Sequence, residues 1–273
     1  MFVLAMASAS AAIAPQPTDG SADALRSAWS KLDASRKDTT FREPLHLQSA
    51  QSSDRLSGTL YAVLPRPFRD VRQALDDEAG WCAALILDPN VHECRPQRAR
   101  VDVAFGESET PVAFSFHAAP VEEYLQVRLA ADDGPFGTKD HVIVLEASPL
   151  DNARTIVRLS TAQTLTWTSR LAMTAYFNTV GRGKVGFTVV DRDGAGQPVY
   201  VGHIRGGVER NLVRQYFAIL AYLDSLAAPR EEQADRRVRT WLAYTERYPL
   251  QLHENRDYFE RKSPEVRRQQ RGG

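Results

Sequence analysis

A chain of 273 residues with 43% apolar and 25% charged side chains has the make-up of a globular protein and excludes a collagen, a coiled coil and wholesale disorder. Lys and Arg together number 34 and Asp and Glu 34, so the formal net charge is zero. No global field draws such a chain to nucleic acid or to an anionic membrane, and either partner would need a local patch.

Met1 to Ala14 read MFVLAMASASAAIA, an apolar run that dissolves into small residues before the polar PQPTDGS. It is too short for a bilayer, which needs about 20 residues, and has the shape of a secretory signal with small-residue cleavage sites at Ala7-Ser8-Ala9 and Ala12-Ile13-Ala14. The basic n-region is missing, and a disordered Ala-rich leader is the plainer reading. Residues 1–20 are expected to be that signal or leader, with the protein periplasmic or secreted and without a transmembrane anchor. Cys82 and Cys94 are the only cysteines, and an even number at short separation favours one disulfide. A reduced pair, or a metal site that adds His92, are the alternatives, although three ligands at this spacing make poor zinc chemistry.

Ala22, Leu25, Ala28, Trp29 and Leu32 fit a short amphipathic helix in the segment 21–40. From Phe41 to Leu64 the period changes to alternation, giving two strands joined around Gln51 to Asp54. Pro67 then opens a helix with Phe68, Val71, Ala74 and Leu75 on one face, ended by Asp76 to Gly80. Strands follow at Arg100 to Phe105, Val112 to His117, Leu125 to Leu129, Val142 to Ala147 and Ala153 to Gln163. Leu171 to Val180 reads as a short helix stopped by Gly181, and Val185 to Val190 with Pro198 to Ile204 form a hairpin around DGAGQ. Val208, Leu212, Tyr216, Ile219, Leu220 and Leu223 keep helical spacing through to Leu226, the strongest helix signal in the chain. A further helical segment, 228–260, begins at Pro229 with Glu231 and Glu232 in its first turn and Val238, Trp241, Leu242 and Tyr248 as its stripe. Residues 261–273 are basic with little to bury, and are expected to be a disordered tail.

Strand, short helix, several antiparallel strands and one long C-terminal helix are the order of an α+β helix-grip fold. Two stretches carry a closer likeness. GTLYAVLPRPFRDVRQALDDEAGWCAALILDPNVHECR and GKVGFTVVDRDGAGQPVYVGHIRGGVERNLVRQYFAILAYL resemble the opening and the closing hairpin-plus-helix of the START-like (helix-grip, SRPBCC) superfamily, most like a proteobacterial branch of it. The resemblance covers about Leu45 to Leu226, within a domain set at 41–227. It implies a curved antiparallel sheet wrapped around the long helix, with an apolar cavity between them for a lipid, sterol, isoprenoid or aromatic metabolite. Trp81, Phe114, Phe116, Phe187, Tyr216 and Leu220 are the apolar candidates to line it, and Tyr176, His203 and Arg210 the polar ones. Ordinary core packing is the plainer role for each apolar member.

Gly206-Gly207 ahead of Glu209, Arg210 and Asn211 reads either as a helix start that would bind an anion, or as a tight turn with Glu209 on the helix dipole and Arg210 paired at the surface. Gly181 to Gly186 lacks the Ser or Thr and the spacing of a phosphate loop. Gly-x-Ser-x-Gly, His-Glu-x-x-His and Cys-x-x-Cys are absent from the sequence, and the basic tail has no aromatic platform after Phe259 for single-stranded nucleic acid. His117, His141 and His203 lie on separate expected strands. The leading expectation is a monomeric, exported binding protein for a hydrophobic small molecule, without cofactor, metal or nucleic acid. An aromatase- or cyclase-type enzyme using the same cavity is the second reading, and a cell-envelope module that docks a protein partner around Trp241 the third.

Overall fold

The computed structural model describes residues 20–34, 41, 43–106, 108, 110–252 and 257–272, so the signal-like segment and its cleavage sites lie outside the described residues. Strands β1 (Leu45–Gln51) and β2 (Arg55–Leu64) form a hairpin at one edge of a sheet. β3 (Val91–Gln97), β4 (Arg100–Phe105), β5 (Val112–Val121), β6 (Tyr124–Asp133), β7 (Lys139–Pro149) and β8 (Thr155–Thr164) form a meander whose last strand pairs with β2. The eight strands are antiparallel, in the order β1-β2-β8-β7-β6-β5-β4-β3.

Strand alternation puts consecutive residues on opposite faces, and register carries that choice across the sheet. Leu47, Leu60, Leu159, Leu145, Val127 and Ala118 lie side by side on the inner face, within the main hydrophobic core. One residue along, the row on the outer face is His46, Tyr61, Arg158, Glu146 and Gln126. Helix α1 (Ala22–Ala34) covers this polar row by packing Leu25 and Trp29 against Tyr61, Tyr124 and Ile156. Beneath it the Arg158 guanidinium donates to the Glu146 carboxylate, which also accepts from the Tyr124 hydroxyl at 2.6 Å. Both charges are buried, a costly arrangement that holds only while each remains paired.

The inner face is supported by helices from three parts of the chain. α2 (Phe68–Leu75) packs on β7, and α3 (Glu78–Leu85) packs on β3 and β4. α3 stands where the sequence suggests only the stop of α2: Asp77 caps a new helix by accepting from the Gly80 N–H at 2.7 Å. Its Cys82 is bonded to Cys94 of β3, so the two sulfurs form one intramolecular disulfide and the metal alternative falls away. After β8 the chain runs through α4 (Trp167–Asn178) and a small hairpin, β9 (Val189–Arg192) with β10 (Pro198–Tyr200). It then enters α5 (His203–Ser225), which lies against β1, β2, β8 and α3.

Two further helices back α5. α6 (Arg230–Thr245) buries Val238 and Trp241, whose indole donates to the Arg214 carbonyl at 3.2 Å. α7 (Tyr258–Gly272) occupies most of the segment expected to be a disordered tail. Tyr258, Lys262 and Val266 share one face at i, i+4 and i+8, and all three are buried. Trp241 stacks on Tyr258 with ring centroids 4.6 Å apart, and the Tyr258 hydroxyl donates to the Leu87 carbonyl at 2.5 Å. The face around Trp241, expected to dock a partner protein, is thus filled by the chain's own last helix. Among the described residues no helix is long and apolar enough to cross a membrane.

Candidate functional site

On β5, alternation turns Phe114 and Phe116 to the inner face, and register continues the Phe116 row through Leu129 and Ile143 to Thr161. His141 lies on this same face of β7, edge-on to Phe114 with ring centroids 5.5 Å apart. Its Nε2 is 3.2 Å from the Thr161 hydroxyl, while its buried Nδ1 meets no hydrogen-bonding partner among the described residues. Burial lowers the imidazole pKa to about 4, so the ring is neutral at physiological pH. A neutral imidazole with one unspent nitrogen against an aromatic wall would hydrogen-bond a hydroxyl or carbonyl on an otherwise apolar molecule. Sequence reasoning treated His141 as one of three scattered histidines. His117 and His203 are exposed, and neither joins it.

A second polar group sits near the start of α5. The helix begins at His203, five residues before the sequence-expected start, which puts Gly206 and Gly207 within it and carries Glu209 and Arg210 into the interior. The Glu209 carboxylate accepts from the Ser49 hydroxyl, the Thr188 hydroxyl at 2.7 Å, and the backbone N–H groups of Phe187 and Thr188 at 2.7 and 2.9 Å. Arg205 donates to the Ser49 oxygen at 2.8 Å. With each carboxylate oxygen taking two bonds, Glu209 works as a clamp that fastens residues 187–188 to the helix. The same contact needs glycine on both sides: a Cβ on Gly186 would lie 3.0 Å from the Gly206 Cα, and one on Gly206 would lie 2.6 Å from the Val201 carbonyl oxygen. Arg210, read from the sequence both as a polar cavity candidate and as a surface pair, is buried beside this clamp with its guanidinium 5.6 Å from the centre of the Phe177 ring.

The clamp holds Phe187 in an aromatic cluster, stacked on Phe41 at 4.8 Å and edge-on to Tyr248 at 5.6 Å. Phe217 stacks in turn on Tyr248 and Tyr244, and packs beside Tyr216. Burial pushes the Tyr216 phenol well above its usual range, with the Glu43 carboxylate adding to the effect. Of the nine residues singled out from the sequence, Trp81, Phe114, Phe116, Phe187, Tyr216 and Leu220 belong to one continuous buried cluster, and Arg210 is buried beside it. Tyr176 and His203 are not brought there. Tyr176 is on the outer side of α4, accepting from Lys184 Nζ at 2.6 Å, and His203 is the exposed first residue of α5. The signal for Glu209 was present in the spacing, because Glu209, Val213 and Tyr216 fall at i, i+4 and i+7 once the helix is started at His203.

No protein-family model matches the chain, and no curated protein matches it. Among solved structures it is similar to a conserved protein from Geobacillus kaustophilus, with 11% identity over 62% of this chain and 95% of that one and a TM-score of 0.37. It is also similar to norcoclaurine synthase from Thalictrum flavum, with 15% identity over 54% of this chain and 90% of that one and a TM-score of 0.33. A third is a conserved protein of unknown function from Enterococcus faecalis, at 10% identity, 55% and 75% coverage and a TM-score of 0.31.

Proposed function

We propose that this chain is a START-like, helix-grip protein that binds a hydrophobic small molecule, a lipid, sterol, isoprenoid or aromatic metabolite, between the inner face of its sheet and α5. The observation that carries the reading is the distribution of supports on that face. α5 bears chiefly on β1, β2 and β8, α2 on β7, and α3 on β3 and β4, so β5 and β6 carry the least helix packing. Their inner-face side chains, Phe114, Phe116 and Leu129, belong to the same buried apolar cluster as Tyr216 and Leu220 of α5. The apolar body of a ligand would lie against these residues and Tyr216 and Leu220, with Trp81 and Phe187 behind it. His141 would take its one polar atom. The disulfide is compatible with the export suggested by the N-terminal segment.

A catalytic use of the same space would ask Arg210, His203 and Tyr176 to converge, and two of those three are surface residues. Native mass spectrometry of the protein purified from its own host, followed by denaturation and identification of what is released, tests the proposal. A stoichiometric apolar compound is the expected result. Protein that arrives empty, and takes up no fatty acid, sterol or isoprenoid after delipidation, would overturn it.

A further inference from the structure

The disulfide closes a small loop, from Cys82 in α3 to Cys94 in β3, 12 positions apart in the chain. Both cysteines are buried, and α7 packs on each of the two elements that they join. The helix is fastened to this loop in particular. Tyr258 donates to the Leu87 carbonyl at 2.5 Å, Lys262 donates to the Val91 carbonyl, and Gln269 accepts from the Cys94 N–H at 3.3 Å. Leu87, Val91 and Cys94 all fall within the stretch that the disulfide closes, so bonds spread along the length of α7 converge on one loop.

α7 depends on such contacts more than the other helices do. Pro264 stands inside it, where the ring removes a backbone hydrogen bond and crowds the preceding turn. Among its described residues the buried apolar side chains are Tyr258 and Val266. α6 supports the other side, through the Trp241 ring against Tyr258, the Asp235 carboxylate on Arg267 and the Arg230 carbonyl on Gln270. A helix of weak intrinsic propensity persists by docking on a preformed surface, and the disulfide braces one half of that surface.

We propose that the disulfide and α7 form a redox latch. The closed loop holds the last helix down, and the docked helix keeps a reductant from the sulfurs. When α7 lifts, the thiolate of a dithiol reductant attacks one sulfur, and the S–S bond gives way to a mixed disulfide. The second thiol of the reductant then closes a disulfide of its own, leaving two electrons and two protons on Cys82 and Cys94 as thiols. The opened loop holds α7 less well, so reduction releases the helix. The coupling is reciprocal: whatever factor the disulfide adds to the docking of α7, docked α7 adds to the resistance of the disulfide to reduction. The latch is distinct from the interior binding reading and stands whether or not the interior holds a ligand.

Both directions of the coupling are measurable on the full chain. Hydrogen exchange of the protein before and after reduction with dithiothreitol should show the amides of residues 261–271 exchanging on the order of tenfold faster once the disulfide is open, with β7 and β8 as protected as before. In the other direction, the rate at which dithiothreitol opens the disulfide in native buffer is followed by thiol alkylation and mass. Tyr258→Phe with Gln269→Ala removes two bonds to the loop, keeps the ring on Trp241, and should speed that reduction on the order of tenfold with an unchanged far-UV spectrum. Unchanged exchange in α7 after reduction, or a wild-type reduction rate in the variant, would overturn the proposal. So would protection lost from the whole sheet together, or a disulfide that dithiothreitol opens only in denaturant, because the sulfurs would then be guarded by the entire fold rather than by its last helix.

Discussion

His141 and the Glu146–Arg158 pair show the two ways a buried titratable group persists, by losing its charge or by pairing it. For His141 the folded-state pKa is about 4, against about 6.5 in an unfolded chain, and the cause is desolvation of the imidazolium. The unfolded state therefore takes up a proton first as pH falls. The sign follows: His141 leaves stability unaffected above about pH 6.5, lowers it progressively between 6.5 and 4, and costs about 3 kcal/mol below that range. Urea unfolding of His141→Gln should lack this component of the pH profile, and a profile identical to wild type would show that the histidine is not desolvated. The Glu146–Arg158 pair is opposite in kind, two charges under α1 that neutralise each other and take a third bond from Tyr124. Glu146→Ala should destabilise the protein by about 3 to 5 kcal/mol in chemical denaturation by leaving the guanidinium buried and unpaired. Glu146→Leu with Arg158→Met should recover most of that loss, and failure to recover it would mean that the pair contributes net stability. Neither role is legible in sequence: an acid and an arginine at alternating strand positions are indistinguishable from a solvated face until a helix is known to lie upon them.

Legibility at the level of elements follows the strength of apolar periodicity. The stripe of α5 is evident in sequence because it repeats over many turns, but it is visible only from Val208, because the two glycines before it interrupt the helical pattern. A start at Val208 puts Glu209 and Arg210 in an open first turn, whereas the start at His203 buries both within the helix. α7 was missed for a different reason. The middle member of its buried stripe is Lys262, whose stem packs inward while its ammonium donates to the Val91 carbonyl and to Glu265, so a hydropathy pattern sees two isolated apolar residues. α3 and β3 were obscured by the short cysteine segment that contains them. The disulfide fastens these two elements across 12 residues of chain, and restricting so short a loop in the unfolded state stabilises by about 2 to 3 kcal/mol. Cys82→Ala with Cys94→Ala should lower the unfolding free energy by that amount, while an unchanged value would place the stabilising constraint elsewhere, in the packing of α3 on β3.

For the molecule as a whole, the α+β class and the large antiparallel sheet were legible from the order of alternating and helical segments, because strand period and helix period differ sharply. The candidate site was legible only in its apolar part. Phe114, Phe116, Tyr216 and Leu220 share one core because periodicity alone selects inner faces, whereas which polar groups reach that core depends on where helices begin and which strand ends they cover. His141 entered for that reason and Tyr176 left for it. The far edge of the sheet carries one more consequence. An antiparallel sheet of eight strands ends in unpaired backbone groups, and here β3 is such an end. Along it, α7 lays Lys262 on the Val91 carbonyl and Gln269 on the Cys94 N–H, at 3.3 Å for the latter. These side chains occupy places that the backbone of an incoming strand would need. The last helix thus makes the sheet finite at β3, shielding it from edge-to-edge growth into an aggregate, a protective task performed by residues that look from their composition like a discarded tail.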